Sequence, residues 1–345
     1  MRVGVLTGGG DCPGLNAVIR AVVRVGAGEF GHSHVGVSHG WKGLLEGTTL
    51  PLDLDTVSGI LPRGGTVLRS SRTNPFARDD GPDRCVRTMR DLGLDALVAI
   101  GGEDTLGVAR RLHDEHGVPV VGVPKTIDND LSGTDVTFGF WTAVQTACDT
   151  LDRLHTTAES HDRVIVAEVM GRHSGWIALE SARAAGAQSV LIPEVPPNLP
   201  RIYRRLEERR RRGRHYAIVV VSEGVTLEAA GATGGTVDEF GHTQLANAGV
   251  GERLAHLIKE ATGSDSRAVV LGHAQRGGAP IAYDRVLATR YGARAARKVA
   301  QGAFGRMASL RGDSVTDVPL AEAVSTLKTV PEQIYRDALA VLAAR

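Results

Sequence analysis

Residues 2–27, RVGVLTGGGDCPGLNAVIRAVVRVGA, join an apolar run, a glycine-rich loop and an amphipathic segment in one stretch. The run at residues 2–7 is rich in valine and has little polar alternation, which is typical of a strand covered on both faces of a parallel sheet. The apolar residues at 15–27 recur at helical spacing. This strand–loop–helix order predicts the first unit of an α/β fold.

The same pattern recurs along the chain. Six further runs rich in valine and isoleucine alternate with amphipathic segments such as residues 142–154. The runs cover residues 96–102, 118–124, 164–171, 189–194, 216–224 and 268–273. The alternation predicts parallel strands joined by right-handed crossovers, and a chain of 345 residues favours two domains.

Composition narrows the class of protein. A net charge of +1 offers nothing to attract nucleic acid or an anionic membrane. Cys12, Cys85 and Cys148 are widely spaced and form no CxxC pair, so we expect reduced thiols rather than a disulfide framework. The sequence shows neither a signal peptide nor an apolar stretch near the roughly 20 residues that span a bilayer. We therefore expect a soluble cytoplasmic enzyme.

Two segments stay open at this level. Residues 201–214, RIYRRLEERRRRGR, contain eight arginines, which suits either a solvated helix face or an anion-binding surface. Residues 228–242 are polar and glycine-rich and predict a loop or hairpin excursion.

Glycines and polar or charged residues follow almost every predicted strand. Because ligands bind beyond the carboxyl ends of the strands in open parallel sheets, these positions form the candidate site. They are TGGGD (7–11), GGEDT (101–105), PKTIDND (124–130), MGR (170–172), SEG (222–224) and GHAQRGG (272–278).

The first two of these loops suit phosphate and a metal ion. In TGGGDCPGLN, adjacent glycines let backbone N–H groups approach phosphate oxygens at a helix N-terminus, although a plain tight turn is an alternative. Neither GxGxxG nor GxxxxGK[ST] occurs, so dinucleotide and Walker-type sites are poorly supported. Glu103 and Asp104, at a predicted helix start, suit either the helix dipole or a magnesium ion that phosphate helps to bind.

The segment PKTIDND is the most informative. Asp128 and Asp130 flank Asn129 just beyond a predicted strand, and a carboxylate there can act as a general base, with a turn or N-cap cluster as the alternative. Arginines elsewhere can pair bidentately with substrate phosphates. The basic set is Arg72, Arg163, Arg172, Arg267, His273 and Arg276.

Taken in order, these motifs resemble those of the ATP/pyrophosphate-dependent 6-phosphofructokinase family. The motifs are TGGGDCPGLNAVIR, RGGT…SSR, IGGEDT, PKTIDND, AEVMGR, LGHAQRGG and YDR, and the resemblance runs from residue 1 to about residue 310. It implies two three-layer α/β domains with mainly parallel sheets and the active site in the cleft between them. The donor domain would cover residues 1–138 plus about 275–325, and the fructose 6-phosphate domain residues 139–274 plus about 326–345.

The resemblance also implies a role for individual residues. The catalytic set would be Asp128 as the base for the sugar 1-hydroxyl, with Thr126, Arg72 and Arg172. Glu103 would bind Mg²⁺, where the family usually has aspartate. The donor phosphates would lie at Gly9, Gly10, Asp104, Thr105 and Lys125. Fructose 6-phosphate would be bound by Thr126, Asp128, Asp130, Met170, Gly171, Arg172, Glu223, His273 and Arg276. Arg163 and Arg267 would reach it across a subunit interface, which implies a homodimer or homotetramer.

The choice of donor depends mainly on Asp104. In relatives that use ATP this position is glycine, which leaves room for the α-phosphate and ribose, whereas Asp104 adds bulk and negative charge. Lys125, which is commonly glycine in those relatives, adds a cation beside the donor phosphates. The resemblance thus implies pyrophosphate as the donor in a reversible reaction, with an ATP-dependent 6-phosphofructokinase as the alternative. A catalytically silent sugar-phosphate-binding paralogue is disfavoured by Asp128, Arg72 and Arg172.

Departures from the family pattern remain. Arg69 stands where the family usually has glycine, and it either adds a donor-phosphate contact or crowds Arg72. The allosteric site of bacterial ATP-using enzymes is only partly matched, by Arg20, Arg24 and Arg214, while Leu54, His155 and Gln188 replace its other charged residues. Regulation by nucleotide or phosphoenolpyruvate is therefore not expected. The pattern also leaves sedoheptulose 7-phosphate open as an acceptor.

Overall fold

The computed structural model describes residues 1–227, 239–240 and 249–343. The strands are β1 (Arg2–Thr7), β2 (Ser33–Val37), β3 (Thr49–Leu52), β4 (Ala96–Gly101), β5 (Val120–Pro124), β6 (Val164–Val169), β7 (Ser189–Leu191), β8 (Ala217–Ser222), β9 (Ser266–Val270), β10 (Arg306–Arg311) and β11 (Ser314–Pro319). The helices are α1 (Leu15–Phe30), α2 (Trp41–Glu46), α3 (Gly81–Asp91), α4 (Glu103–His116), α5 (Phe140–Ser160), α6 (Trp176–Ala184), α7 (Leu199–Arg211), α8 (Val250–Thr262), α9 (Ala282–Ala300), α10 (Leu320–Ala323) and α11 (Glu332–Ala343). The excursion predicted at residues 228–242 lies outside the described residues, except for Glu239 and Phe240.

The chain divides into two compact units. The first comprises Met1–Thr142, Asp238–His242 and Arg276–Leu327, and the second comprises Ala143–Val237, Thr243–Gln275 and Lys328–Arg345. Among the helices described, none combines the length and the hydropathy needed to cross a membrane.

The first unit is built on a seven-stranded sheet in the order β11-β10-β5-β4-β1-β2-β3. Its five inner strands run parallel, while β3 and β11 pair antiparallel at the two edges. All residues of β4 and β5 are buried, because helices cover both faces of a parallel sheet. Since β1, β4 and β5 are neighbours with the same direction, the loops that follow them meet at one edge of the sheet.

The sequence did not predict the last two strands at each end of this sheet, which are β2 and β3 at one end and β10 and β11 at the other. Strand β3 (TLPL) buries one residue of four, and β11 (SVTDVP) buries one of six. Strands near a sheet edge remain partly exposed, so they tolerate polar residues and proline and lack a continuous apolar run. The α/β class with mainly parallel sheets is nevertheless confirmed.

The second unit contains a four-stranded sheet, β7-β8-β6-β9, in which every pair is parallel. All residues of β6 and β8 are buried. Its core includes Val219 of β8, Leu254 of α8, and Ile202 and Leu206 of α7. Helix α7 therefore packs through one apolar stripe, which leaves its arginines at the edges of that stripe and on the opposite face.

An ion-pair cluster in the first unit ties α9 to the β10–β11 hairpin. The carboxylate of Asp317 on β11 accepts hydrogen bonds from Arg294 of α9 and from Arg306 of β10, and Nζ of Lys298 lies 2.9 Å away. The side chain of Asp317 is only 5% exposed. Burial alone would raise its pKa, but the three cations outweigh burial and lower the pKa to about 2.

Replacing Asp317 by asparagine should destabilise the protein at neutral pH. The pKa of Asp317 lies below its ordinary value of 3.8 in the folded state, so its stabilisation is present above about pH 4 and is lost as the pH falls toward 2. We expect Asp317→Asn to lower the free energy of unfolding at pH 7 by about 2 kcal/mol, with a smaller difference at pH 3. Urea unfolding at both pH values measures this, with the exposed Asp313→Asn as control. A deficit of equal size at both pH values would contradict the assignment.

Candidate active site

Backbone hydrogen bonds fix the glycine loop that follows β1. The Gly8 N–H donates to the Ile100 carbonyl and the Gly9 N–H to the Ser71 carbonyl, each at 3.0 Å. Gly9 has a φ of 77°, in the left-handed region that favours glycine. Two of the three glycine N–H groups therefore hold the path of the loop toward α1.

Two cations lie against this loop. The side chain of Lys125 is buried, and its Nζ donates to the Gly10 carbonyl. Burial lowers the pKa of Lys125, an effect that Asp128 and Asp11 partly oppose. The Arg276 guanidinium packs on Gly10, where a Cβ would lie 2.5 Å from Nη1. Arg276, expected to bind the sugar phosphate, belongs to the first unit and adds positive charge at the glycine loop.

The first turn of α4 lies next to the same loop. Thr105 is buried against Gly8, where a Cβ would come within 2.5 Å of Thr105 Oγ1. This contact sets the spacing between α4 and the glycine loop. Glu103 and Asp104, just before Thr105, are half-buried. The structure thus brings two carboxylates close to the glycine loop.

A cavity of about 250 Å³ opens beside this turn of α4. Its lining includes Glu103, Asp104, Gly107 and Phe76. The Arg111 guanidinium stacks over the Phe76 ring, 3.6 Å from the ring centroid. Asp104 therefore places a carboxylate in the wall of a cavity that also includes the metal-binding candidate Glu103.

The loop after β5 holds its two aspartates through internal hydrogen bonds. The Asp128 N–H donates to Thr126 Oγ1 at 3.0 Å. Asn129 has a left-handed φ of 51°, and its Oδ1 accepts a hydrogen bond from the Thr137 N–H at 3.0 Å. Asparagine tolerates this backbone better than most residues. Asn129 therefore fixes the chain between Asp128 and Asp130.

Three carboxylates of these loops interact electrostatically. Burial raises the pKa of Asp130 well above its ordinary value, and the charges of Asp128 and Glu103 raise it further. Within the described residues, no group of three or more His, Cys, Asp or Glu side chains is arranged to hold a metal by itself. Magnesium needs few protein carboxylates when phosphate oxygens supply other ligands. These mutually repelling acids therefore fit a divalent cation that arrives with a phosphate ligand.

Residues 69–72 are tied to the glycine loop. Ser70 Oγ donates to the Gly9 carbonyl, and Thr7 Oγ1 donates to the Arg69 carbonyl at 2.7 Å. Arg69 has a φ of 58°, which glycine adopts without strain and arginine adopts at some cost. The left-handed backbone accounts for the glycine that the family usually has there. Arg69 and Arg72 are both exposed at this position beside the loop.

In the second unit, two side chains fix the loop after β6. The Oε1 of Glu223 accepts hydrogen bonds from the N–H groups of Gly171 at 3.3 Å and Arg172 at 3.1 Å. The fully buried Gln275 accepts one from the Met170 N–H at 2.8 Å. Sequence reasoning missed Gln275, although it lies inside the quoted motif GHAQRGG. Met170, Gly171, Arg172 and Glu223 are brought together as expected from their positions at the ends of neighbouring strands.

Arg163 and Arg267 meet at a shared carboxylate. Arg163 Nε lies 2.5 Å from Asp265 Oδ2, and Arg267 Nη1 lies 3.2 Å from Asp265 Oδ1. The hydrogen bond from Arg163 lowers the pKa of Asp265. Both arginines remain partly accessible, and His273 is exposed. The second unit therefore presents two adjacent guanidinium groups at its surface, which suits the binding of a phosphate.

Comparison with known proteins identifies the sequence family. The sequence profile described as "Phosphofructokinase" matches residues 2–299. A pyrophosphate--fructose 6-phosphate 1-phosphotransferase from Streptomyces coelicolor is 56% identical over 98% of each chain. An ATP-dependent 6-phosphofructokinase 3 from the same organism is 53% identical over 99% of this chain and 100% of the relative.

Among solved structures, a pyrophosphate-dependent phosphofructokinase from Nitrosospira multiformis has a similar fold. The TM-score is 0.84, and the match covers 99% of this chain and 91% of that one at 21% identity. At this identity the likeness concerns the fold alone.

Replacing Asp130 by asparagine should stabilise the metal-free protein at alkaline pH. The pKa of Asp130 in the folded state is raised above its ordinary value of 3.8. The wild-type protein therefore loses stability as the pH rises from about 4 through the folded-state pKa. We expect Asp130→Asn to raise the thermal midpoint by a few degrees at pH 8 in EDTA and to give no advantage below about pH 4. The exposed Asp79→Asn controls for the loss of one charge. An advantage that does not vary with pH would argue against a buried, repelled carboxylate.

Proposed function

The chain belongs to the phosphofructokinase family, and we propose that it transfers a phosphoryl group from pyrophosphate to the 1-hydroxyl of fructose 6-phosphate. The products are fructose 1,6-bisphosphate and phosphate. The reaction is reversible because pyrophosphate and the product have phosphoryl-transfer potentials that are close to each other. Relatives named pyrophosphate--fructose 6-phosphate 1-phosphotransferase are 56–57% identical over 98% of the chain. The first unit binds the donor in this proposal, and the second binds the sugar phosphate.

The observation that carries the choice of donor is the position of Asp104. The overall sequence identity does not decide between pyrophosphate and ATP as donor, because an ATP-dependent relative is also 53% identical to this chain. Asp104, however, lies in the first turn of α4 and lines the cavity beside Glu103. A nucleotide would bring its α-phosphate toward this carboxylate, and two unit charges about 4 Å apart repel by around 4 kcal/mol at an effective dielectric of about 20. Pyrophosphate ends before that point, so it escapes this repulsion.

The donor would be bound by the glycine loop and its cations. The backbone around Gly9 and Gly10 binds the phosphates. Lys125 holds this loop in place by donating a hydrogen bond to the Gly10 carbonyl, and Arg72 contacts the phosphoryl group that is transferred. Glu103 would hold Mg²⁺, with Asp128 and Asp130 nearby. When bound, Mg²⁺ supplies neutralisation of charge on the donor phosphates.

Asp128 acts as the general base. It accepts the proton of the sugar 1-hydroxyl while that oxygen bonds to the nearer phosphorus of pyrophosphate. The bond from this phosphorus to the bridging oxygen breaks, and phosphate leaves. The hydrogen bonds that order residues 126–130 hold Asp128 in place before substrate arrives, as catalysis by alignment requires.

The acceptor would be bound by the loop of Met170, Gly171 and Arg172 together with Glu223 and His273. The contacts of Glu223 with two backbone N–H groups keep this loop ordered. Arg172 would neutralise charge in the transition state.

We further propose a homodimer or homotetramer in the cytoplasm. Arg163 and Arg267 lie side by side and remain accessible, which suits a phosphate held at a partner subunit's site. The three cysteines are free and buried, as in proteins of reducing compartments.

Initial rates with fructose 6-phosphate and Mg²⁺ test the donor directly. Pyrophosphate should give a kcat/KM at least tenfold higher than ATP, because the carboxylate of Asp104 repels the α-phosphate. Sedoheptulose 7-phosphate in parallel measures the acceptor range. Faster turnover with ATP at equal concentration would reject pyrophosphate as donor and leave the ATP-dependent enzyme, which the 53% identical relative supports.

Two substitutions at Asp104 separate the effect of charge from that of size. We expect Asp104→Gly to raise kcat/KM for ATP at least tenfold, because it removes both the carboxylate and its bulk. Asp104→Asn keeps the size and removes the charge, so a comparable gain would assign the exclusion to repulsion. If neither variant gains ATP activity, Asp104 does not select the donor.

A further inference from the structure

The arginine-rich segment at residues 201–214 is unused by the proposed reaction. In α7 the side chains of Arg201, Arg205 and Arg209 recur every four residues, so they lie along one side of the helix. They border Ile202 and Leu206, which pack into the core of the second unit. Arg205 is half-buried and Arg209 is buried, whereas Arg201 and the remaining arginines of the segment are exposed.

A cavity of about 250 Å³ lies within the second unit beside this side of α7. Its charged lining consists of Arg201, Arg205, Arg336 and Glu332. Three guanidinium groups against one carboxylate leave an excess of two positive charges. Glu332 is already paired with Arg336 at 2.6 Å. The excess charge is therefore carried by Arg201 and Arg205.

In the part of the chain that the structure describes, neither of these two arginines forms an ion pair within 4 Å, and the carboxylate that acts on Arg205 from further away is Glu208. The Nη2 atom of Arg205 is shielded from solvent, and the described residues offer it no hydrogen-bond acceptor. Burial lowers the pKa of Arg205, and the charges of Arg209 and Arg201 lower it further, while the charge of Glu208 opposes them in part. A shielded donor without an acceptor is rare in folded proteins, so an acceptor supplied by a ligand is the expected complement.

The rest of the lining is apolar. It includes Leu191 of β7, Ile202 of α7 and Leu339 of α11. Tyr335 also lines the cavity, but its hydroxyl is already used, since it donates to the Val190 carbonyl at 2.9 Å. The cavity therefore offers a cationic side and an apolar side.

We propose that this cavity binds a small organic dianion, a phosphate or phosphonate group on a compact apolar body. The oxyanion pairs with Arg201 and Arg205, whose planar guanidinium groups match it bidentately. The apolar body lies against Leu191, Ile202 and Leu339. The lining contains none of Arg20, Arg24 and Arg214, which match the basic positions of the bacterial effector site, so the two sites are distinct.

Isothermal titration calorimetry on the full chain tests this proposal with phenylphosphonate as probe. The titration is made at pH 8 with saturating fructose 6-phosphate, which occupies the sugar-phosphate site. Arg205→Gln and Arg201→Gln remove the two proposed ligands. Arg204→Gln, at an exposed position of the same helix, removes an equal charge and serves as the matched control. Inorganic phosphate, which lacks the apolar body, is the second probe.

We expect phenylphosphonate to bind the wild-type protein and Arg204→Gln equally, and each of the other variants at least tenfold more weakly. Inorganic phosphate should bind more weakly than phenylphosphonate. The absence of binding, an unchanged Kd in Arg205→Gln and Arg201→Gln, or an equal loss in Arg204→Gln would each overturn the site. Since Arg201 is exposed, its variant decides the matter if Arg205→Gln unfolds. Rates with pyrophosphate should be unchanged in all three variants, because none of these arginines belongs to the proposed active site.

Discussion

The parallel pairing of β1 with β4 and of β4 with β5 is the constraint on which the rest of the first unit depends. These backbone hydrogen bonds place the three strands side by side in the same direction. The loops that follow the three strands therefore begin at the same edge of the sheet. The loops follow strands that end at Thr7, Gly101 and Pro124, so the first is far from the other two in the chain. The glycine loop, the acids of α4 and the loop of Asp128 meet only because of this register.

Charge is concentrated at that edge, and close packing determines how it is arranged. Because residue 10 is glycine, the Arg276 guanidinium can lie directly on the backbone. The buried Lys125 donates a hydrogen bond from its amino group to the Gly10 carbonyl of the same loop. Burial raises the pKa of Asp130, and the charges of Asp128 and Glu103 raise it further. In the proposed function, a cation and phosphates bound at this edge would offset the repulsion among these acids.

Much of the fold followed from local patterns, and the features that were not predicted have two causes. All seven predicted apolar runs form strands, because a strand buried on both faces must be apolar throughout its length. The last two strands at each end of the first sheet were missed, since partial exposure permits sequences such as TLPL and SVTDVP. The sequence also did not predict the ion-pair cluster at Asp317, because its cations come from α9 and β10, which are separate elements of the chain.

The sequence by itself determined the family and the α/β class and predicted candidate side chains for the chemistry, because each motif is a short local pattern. Only the tertiary structure decided their contacts: Lys125 on Gly10, Thr105 against Gly8, and Gln275 on the Met170 backbone. It also showed which arginines of residues 201–214 border a cavity and which are exposed. These contacts depend on distances between segments that are remote in the sequence. Packing and strand register set those distances, and a short sequence pattern does not predict them.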